Sequence, residues 1–500
     1  MDISNSLGNK KDVSNMSAFT RHDRERLAAR GHAEEVLPLG PDERTWGTKN
    51  YITVWMGPIH NILSYFTVVG FFALGLNAMQ VVAAILVAAC IVSAGYVYNG
   101  RAAAKYGIPF AMQIRDTFGM KGAVFPAMIR GLVAGFVFFG LTTIASAQAL
   151  DIVLLRLFPG FAEIGGGATI AGLAIPTAIS YAVMTALTVI LYIAGQSLID
   201  KFSAWASPVV WILMVIGLFI AVGNAGGIGA VMRYHPAPGT EVTVVGFITC
   251  VSMLVSNWAG PIVNTGDFTR NAKTISAPAK GFPIGMLISY VLFAAVTISF
   301  MASLSAVTDG AVDVTKPTIF VDAINAIDNP FIVILLILAM NVGATAFVVF
   351  GNMLPSGLQL TAQFPQLFNV KTGGLVAAVV GTLILPWKFV ENTTMLFLFY
   401  SFIGSMFGPI AGIMLASYYF ERRQKLDLDT IYPEPGADGG HPGGVNRRAV
   451  GVLVGSFIIT MVGKVFPNVP VLATINSWAF FSGLTIGFIG YLLVGARKKA

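Results

Sequence analysis

Beyond residue 50 the chain alternates long apolar runs with short polar loops. Tyr51 to Gly100, Ile164 to Ile199, Asn329 to Val370 and Val465 to Ala496 contain no Lys, Arg, Asp or Glu. A helix needs about 20 apolar residues to cross the hydrocarbon core, so several of these windows hold more than one crossing or one long helix. The pattern predicts twelve spans, centred near residues 64, 88, 140, 183, 213, 255, 293, 344, 380, 406, 457 and 483. An all-α integral membrane protein follows.

Composition agrees. The chain is 55% hydrophobic and only 11% charged, against roughly 25% charged in soluble domains. Met1 to Asn50 is polar and has no apolar h-region, so no cleavable signal peptide is expected. Cys90 and Cys250 both fall in apolar runs, which argues against a disulfide framework or a cysteine metal site. Of the 31 Lys and Arg, only Arg156, Arg233, Lys316, Lys388 and Lys464 fall on the face opposite the N-terminus, and Arg130 lies within span 3. The positive-inside rule then predicts cytoplasmic termini in a multi-pass plasma (bacterial inner) membrane protein. Residues 1–50 read as a cytoplasmic segment, 51–223 and 224–420 as two five-helix units, 421–448 as a cytoplasmic linker, and 449–500 as two further helices and a tail. Arg101 to Lys121 mixes basic and apolar residues and predicts a short interfacial helix between spans 2 and 3.

One repeat points to a site. Trp55-Met-Gly57-Pro58-Ile59-His60-Asn61 in span 1 matches Trp258-Ala-Gly260-Pro261-Ile262-Val-Asn264 in span 6, 203 residues on. Proline lacks an amide hydrogen and glycine weakens a helix. Backbone groups freed in a membrane must be satisfied by protein, water or ligand. Paired interruptions in corresponding helices are the sequence pointer to a transporter site near the midplane. A Gly-Pro pair can also merely kink a helix, as Gly408-Pro409-Ile410 of span 10 would. That copy lacks the flanking Trp and Asn.

Intramembrane polar residues are the further candidates. Asn61 and His60 follow the first break, and Asn257 and Trp258 precede the second. Phe138 and Thr142 form an i, i+4 pair in span 3, and Asn341, Thr345 and Asn352 share a helical stripe in span 8. Each has a packing alternative: a histidine bonded to backbone, a tryptophan between helices, asparagines as interhelical glue. Asp267 reads as a cap or gate residue. No catalytic cluster, phosphate loop or nucleophile elbow is present, so neither an enzyme nor a cofactor is expected. A receptor would need a soluble signalling domain, and none is visible. Nucleic acid and an obligate protein partner are not indicated.

At these residues the chain resembles the nucleobase–cation symporter-1 family, carriers of purines, pyrimidines, hydantoins and allantoin. The resemblance runs from about Arg44 to Phe420. It rests on Trp55 to Asn61, Lys105-Tyr-Gly-Ile-Pro-Phe-Ala111, Arg130-Gly-Leu, Asn264-Thr-Gly-Asp-Phe-Thr-Arg270, Gly351-Asn-Met-Leu-Pro355 and Pro386-Trp387. It implies a leucine-transporter-type (LeuT-like) fold of five-plus-five inverted repeats with two extra C-terminal helices. It implies that spans 1, 2, 6 and 7 rock against spans 3, 4, 8 and 9. Trp258 would stack a planar heterocycle and Asn352 would bond its amide edge, with Asn61 lining the cavity. Phe138 falls where relatives often have a stacking Trp, and Thr142 where they often have a Gln. The sodium site of relatives maps to carbonyls of Gly57, His60 and Gly343 and to hydroxyls at Ala346 and Phe347, which have none. Symport of a nucleobase-like or ureide heterocycle is therefore expected, driven by protons rather than sodium, with His60 a candidate proton carrier. An amino-acid carrier of the same fold is the alternative, disfavoured by the bulk of Trp258 and Phe138.

Overall fold

The protein is described from a computed structural model covering residues 21–236, 242–390 and 392–496. Lys10, Lys11, Arg497, Lys498 and Lys499, part of the predicted basic face, lie outside these residues. Among the described residues eight helices are long and apolar enough to cross a membrane, and the pair Pro470–Ser477 and Ala479–Gly495, bent by 94°, meets the same length and hydropathy test when taken together. Three shorter apolar helices, Ile62–Ala73, Val244–Asn257 and Val370–Leu383, complete twelve segments. Two of those three belong to the spans that carry the repeat.

Span 1 comprises helices Thr48–Thr53 and Ile62–Ala73 with a 3-10 turn, Pro58–His60, between them. Span 2 is Ala78–Tyr106, span 3 Val124–Leu157, span 4 Ile175–Ile193 and span 5 Trp205–Asn224. Span 6 comprises Val244–Asn257 and Ala259–Val263. Span 7 is Ser276–Val307, span 8 Pro330–Gln363, span 9 Val370–Leu383 and span 10 Thr393–Glu421. Span 11 is Arg447–Val465, and span 12 is the bent pair.

Local chemistry sets the ends. Asn77 accepts from Gln80 N and the Gln80 side chain returns a bond to Asn77 N, which starts span 2. Gly107, at φ +72°, ends it. Side chains facing outward are large and apolar, among them Phe219, Ile190, Leu383 and Leu493, as hydrocarbon requires.

Packing separates two groups. Span 2 packs on spans 6 and 7, and span 7 also on the first half of span 1. Span 3 packs on spans 4, 8 and 9. The groups meet where the span 1 break lies on span 8 and where its second half lies on span 3. Span 10 packs on spans 6 and 12. A two-stranded antiparallel hairpin, Thr169–Ile170 with Leu173–Ala174, joins spans 3 and 4. Trp387 of the Pro-Trp pair donates from Nε1 to Ala171 O at 3.1 Å and so ties the hairpin down.

The helix between spans 2 and 3 is present as Phe110–Phe118, but all nine residues are buried. An interfacial helix would keep a wet polar face, and here other chain covers it. The N-terminal segment lies over it with Val36 and Leu37, and the linker between spans 10 and 11 adds Ile431 and Tyr432. Arg270 donates to Glu35 O and Leu37 O, Arg44 to Ala104 O, and Tyr432 Oη to Val36 O at 2.6 Å. The segment before span 1 is thus a strap on the basic face.

His32 belongs to that strap and meets the Tyr432 ring edge-on at 5.3 Å. Burial, and after it the Arg115 charge, pushes its imidazole down to about 4. The free value is about 6.5. A histidine held neutral supports the strap fully above that value, and its support is lost as pH falls toward 4. NMR of selectively labelled histidine should show His32 titrating near 4. Titration near 6.5 would mean that the ring faces water.

Candidate functional site

The span 1 break is complete. Asn61, at φ −77° and ψ 148°, leaves helical geometry and caps the second half, its Oδ1 accepting from Ser64 N at 3.0 Å. Its Nδ2 donates to Pro58 O at 2.7 Å and to Ser64 Oγ at 2.9 Å. Freed groups find partners on span 5. Trp211 Nε1 donates to Met56 O at 3.1 Å, and Gly57 N donates to Ser207 Oγ at 3.3 Å. The span 6 break is shallower. It is a pinch at Trp258, where φ is −100° and ψ 5°, with a second at Asn264. Asn99 of span 2 donates to the loosened Ile262 O at 3.3 Å.

Trp258 is fully buried beside that pinch. Its indole meets Trp55 at 5.3 Å, Phe347 at 5.4 Å and Tyr290 at 6.3 Å, each near perpendicular. Phe138 is also buried, but its ring partners are Phe399 and Tyr400 of span 10. Asn257 donates to Ser64 Oγ at 3.2 Å, and its Oδ1 accepts from Tyr400 Oη at 3.2 Å. Tyr400 Oη also bonds Thr67 Oγ1 at 2.8 Å. Asn61 and Asn257 are therefore committed to a brace of spans 1, 6 and 10. Ser64, Thr67 and Tyr400 complete it, and sequence reasoning had not selected them. The signal was one polar tip in the apolar run Leu396-Phe-Leu-Phe-Tyr400.

Other polar groups have no partner. Thr142 Oγ1, Asn352 Nδ2 and both amide atoms of Asn341 are buried and unbonded. Such groups cost about 1–3 kcal/mol each, so a native structure that keeps them invites water or a ligand. Asn352 sits in a π-helical turn, Val349–Met353, and a second such turn, Ile129–Ala134 of span 3, packs on the part of span 8 that follows it, Leu354–Gln363. A π turn adds a residue, and each residue of helix rotates about 100°. Asn352 is therefore turned away from the stripe of Asn341 and Thr345 that a regular helix predicts. Gly131 and Gly135 allow the close approach of span 8. Ser356 Oγ donates to Gly131 O at 2.7 Å, and a Cβ at Gly135 would collide with that hydroxyl.

The ion-site equivalents come together. A Cβ at Gly343 would lie 2.8 Å from Gly57 O and 3.5 Å from His60 O, so glycine is what lets the two carbonyls reach span 8. Ala346 and Phe347 bring no oxygen, and Phe347 instead packs on Trp258. His60 is fully buried, its Nδ1 is 2.6 Å from Tyr65 Oη, and its ring neighbours are Trp211, Phe293 and Tyr65. Asp267 lies in the short helix Gly266–Thr269 beyond span 6 and accepts from Phe110 N at 2.9 Å. It lines a cleft of about 360 Å³ with Glu35, Arg270, Phe350 and Leu354. That cleft lies beside the strap on the basic face, and neither Trp258 nor Asn352 lines it.

Two interrupted helices, one group of helices set against a second, and unpartnered polar side chains on spans 3 and 8 are the features of a membrane carrier. The chain belongs to the nucleobase–cation symporter-1 family: residues 38–483 match the family profile described as a permease for cytosine/purines, uracil, thiamine, allantoin. A protein of Escherichia coli (strain K12) is 34% identical over 96% of this chain and 98% of its own. The allantoin permease of Bacillus subtilis (strain 168) is 32% identical over 92% of each chain. Among solved structures, Mhp1 in a closed conformation with bromovinylhydantoin bound superposes with a TM-score of 0.75 at 23% identity, covering 93% of this chain and 95% of Mhp1. The fold is thus LeuT-like, and the chain is a transporter and not an enzyme.

Proposed function

We propose that the protein is a symporter that moves a planar, uncharged nucleobase-like or ureide heterocycle, of the allantoin and hydantoin class, by alternating access. The observation that carries this reading is a buried indole, Trp258, at a helix break, together with the unbonded Asn352 amide on the facing span. An aromatic face holds a flat ring, and an amide matches the donor and acceptor edge of a ureide. Thr142 and Phe138 would shape the rest of the pocket. Two of the relatives named above are described as acting on, or holding, this class of compound. A thermal-shift screen of the purified carrier against allantoin, hydantoins, nucleobases and amino acids tests it. Stabilisation by amino acids alone would overturn it.

Protons are the proposed coupling ion. The Gly57 and His60 carbonyls face Gly343, but Ala346 and Phe347, where the family resemblance implies sodium-binding hydroxyls, carry no side-chain oxygen. Sodium favours oxygen ligands, and this set is short of them. Uptake should be unchanged when sodium is replaced by choline and should collapse with a protonophore. Strong stimulation by sodium would reject this. By the positive-inside rule the basic face and both termini would be cytoplasmic.

A further inference from the structure

Arg130 is fully buried in the π turn of span 3 and reaches two other spans. Its Nη2 donates to Gly351 O of span 8, next to Asn352. Its Nε donates to Asn264 Oδ1 at 2.9 Å. Asn264 Nδ2 in turn donates to Asp267 Oδ2 at 2.8 Å, and Phe110 N donates to Asp267 Oδ1 at 2.9 Å. The chain Arg130–Asn264–Asp267 thus crosses from spans 3 and 8 to span 6, the two groups that must separate during transport. Asp267 is also in the wall of the basic-face cleft, so bulk protons can reach one end of the chain. Arg130 is not among the residues lining that cleft.

We propose that this relay is the inner gate of the carrier, and that Asp267 is the proton-binding group that works it. The direction of each bond gives the mechanism. An arginine Nε can only donate, so the Asn264 oxygen must face it and the Asn264 nitrogen must face Asp267. Both Asp267 oxygens therefore act as acceptors, which suits a carboxylate that carries no competing O–H. A proton on the oxygen facing Asn264 turns that acceptor into a donor. Asn264 can answer only by rotating its amide, which points its NH2 at Arg130 Nε. Two donors then face each other, and the link between the groups is replaced by repulsion. A proton on the other oxygen instead opposes Phe110 N–H and frees the helix Phe110–Phe118 from span 6.

The charged groups around Asp267 suit a switch. Burial pushes the Asp267 carboxyl up to about 6, against the bonds from Asn264 and Phe110 and the charges of Arg130 and Arg270. Arg270 is spent on the strap carbonyls of Glu35 and Leu37. From the strap, Glu35 lines the same cleft, while Arg44 turns to Leu39 O and Ala104 O. From span 1, Tyr51 Oη donates to Phe268 O at 3.2 Å. From Phe110–Phe118, Arg115 donates to Ala362 O. Arg130 keeps one buried nitrogen, Nη1, without a partner. The relay is thus its main restraint on the span 6 side.

The proposal rests on the proton-coupled reading, but its gate is tested without substrate. Hydrogen–deuterium exchange of the purified full chain, corrected for intrinsic rates, follows residues 129–134 and 349–353 from pH 8 to 5.5. In the wild type, exchange there should rise several-fold as pH falls. Asp267→Asn puts a donor where a carboxylate oxygen stood, and should exchange at the low-pH level throughout. Asn264→Ala keeps the carboxylate but removes the bridge. It should lose the pH response even if Asp267→Asn fails to fold. A flat wild-type profile, or a wild-type response in either variant, overturns the gate. Transport is scored separately in proteoliposomes with labelled allantoin. The wild type should show counterflow and should concentrate it under an inward proton gradient, and Asp267→Asn should not concentrate it. Gradient-driven concentration by Asp267→Asn would remove Asp267 from coupling. Absence of counterflow in the wild type would instead reject allantoin as the substrate and leave the exchange result standing.

Discussion

Trp258→Ala should weaken binding of a planar heterocycle by about 5- to 150-fold, since stacking on one aromatic ring contributes roughly 1–3 kcal/mol per base. The same change removes the indole from Trp55, Phe347 and Tyr290, and a buried Trp→Ala costs about 3–5 kcal/mol in stability. Two controls separate the effects. Trp258→Phe keeps a π face and most of the volume, so it should recover much of the affinity. Asn352→Ala removes a bond without a large cavity, and should cost about 1–3 kcal/mol of binding with little change in Tm. Its amide nitrogen has no partner to lose within the protein. Titration calorimetry on folded variants decides. If Trp258→Ala folds and binds as the wild type does, the indole is packing between helices and the pocket lies elsewhere.

How much of this was legible in the sequence depended on the range of the interaction. Hydropathy is read along the chain, so the twelve segments were visible, including the three too short to cross unbroken. The Gly-Pro repeat marked both breaks because proline and glycine act on their own backbone. The repeat overstated span 6, where Ala259–Val263 remains helical through Pro261 and only Trp258 and Asn264 depart. The π turns left no trace, because a one-residue insertion is a matter of packing between spans 3 and 8. That hid the rotation of Asn352. Asn61 and Asn257 were read as cavity residues, yet their amides are spent on Ser64, Pro58 and Tyr400. Nothing local reveals that, since Tyr400 is 143 residues from Asn257. Charge composition predicted an interfacial Phe110–Phe118 helix because the strap that buries it comes from more than 60 residues away.

Gly412→Leu should produce a large loss of folded protein. Span 10 carries Gly404, Gly408 and Gly412 at four-residue spacing, and span 12 carries Gly483 and Gly487. A Cβ at Gly408 would lie 2.4 Å from Phe480 O, and one at Gly412 would lie 2.2 Å from Leu484 O. From the other side, a Cβ at Gly487 would lie 2.8 Å from Pro409 O. These obstacles are backbone, which cannot rotate away as a side chain does. Between membrane helices the lipid offers no hydrophobic drive, so close backbone approach through small residues supplies the association. Overpacking a tight contact costs about 1–3 kcal/mol and more where nothing yields. Span 10 also holds Tyr400, which braces the broken helices through Asn257 and Thr67. A shift of span 10 should therefore reach the site. Gly412→Leu should lower Tm and heterocycle affinity together, whereas Gly451→Leu, where a Cβ meets nothing within 4 Å, should change neither. Equal thermal stability of the two variants would show that spans 10 and 12 do not depend on this contact, and that the C-terminal pair does not help hold the site in place.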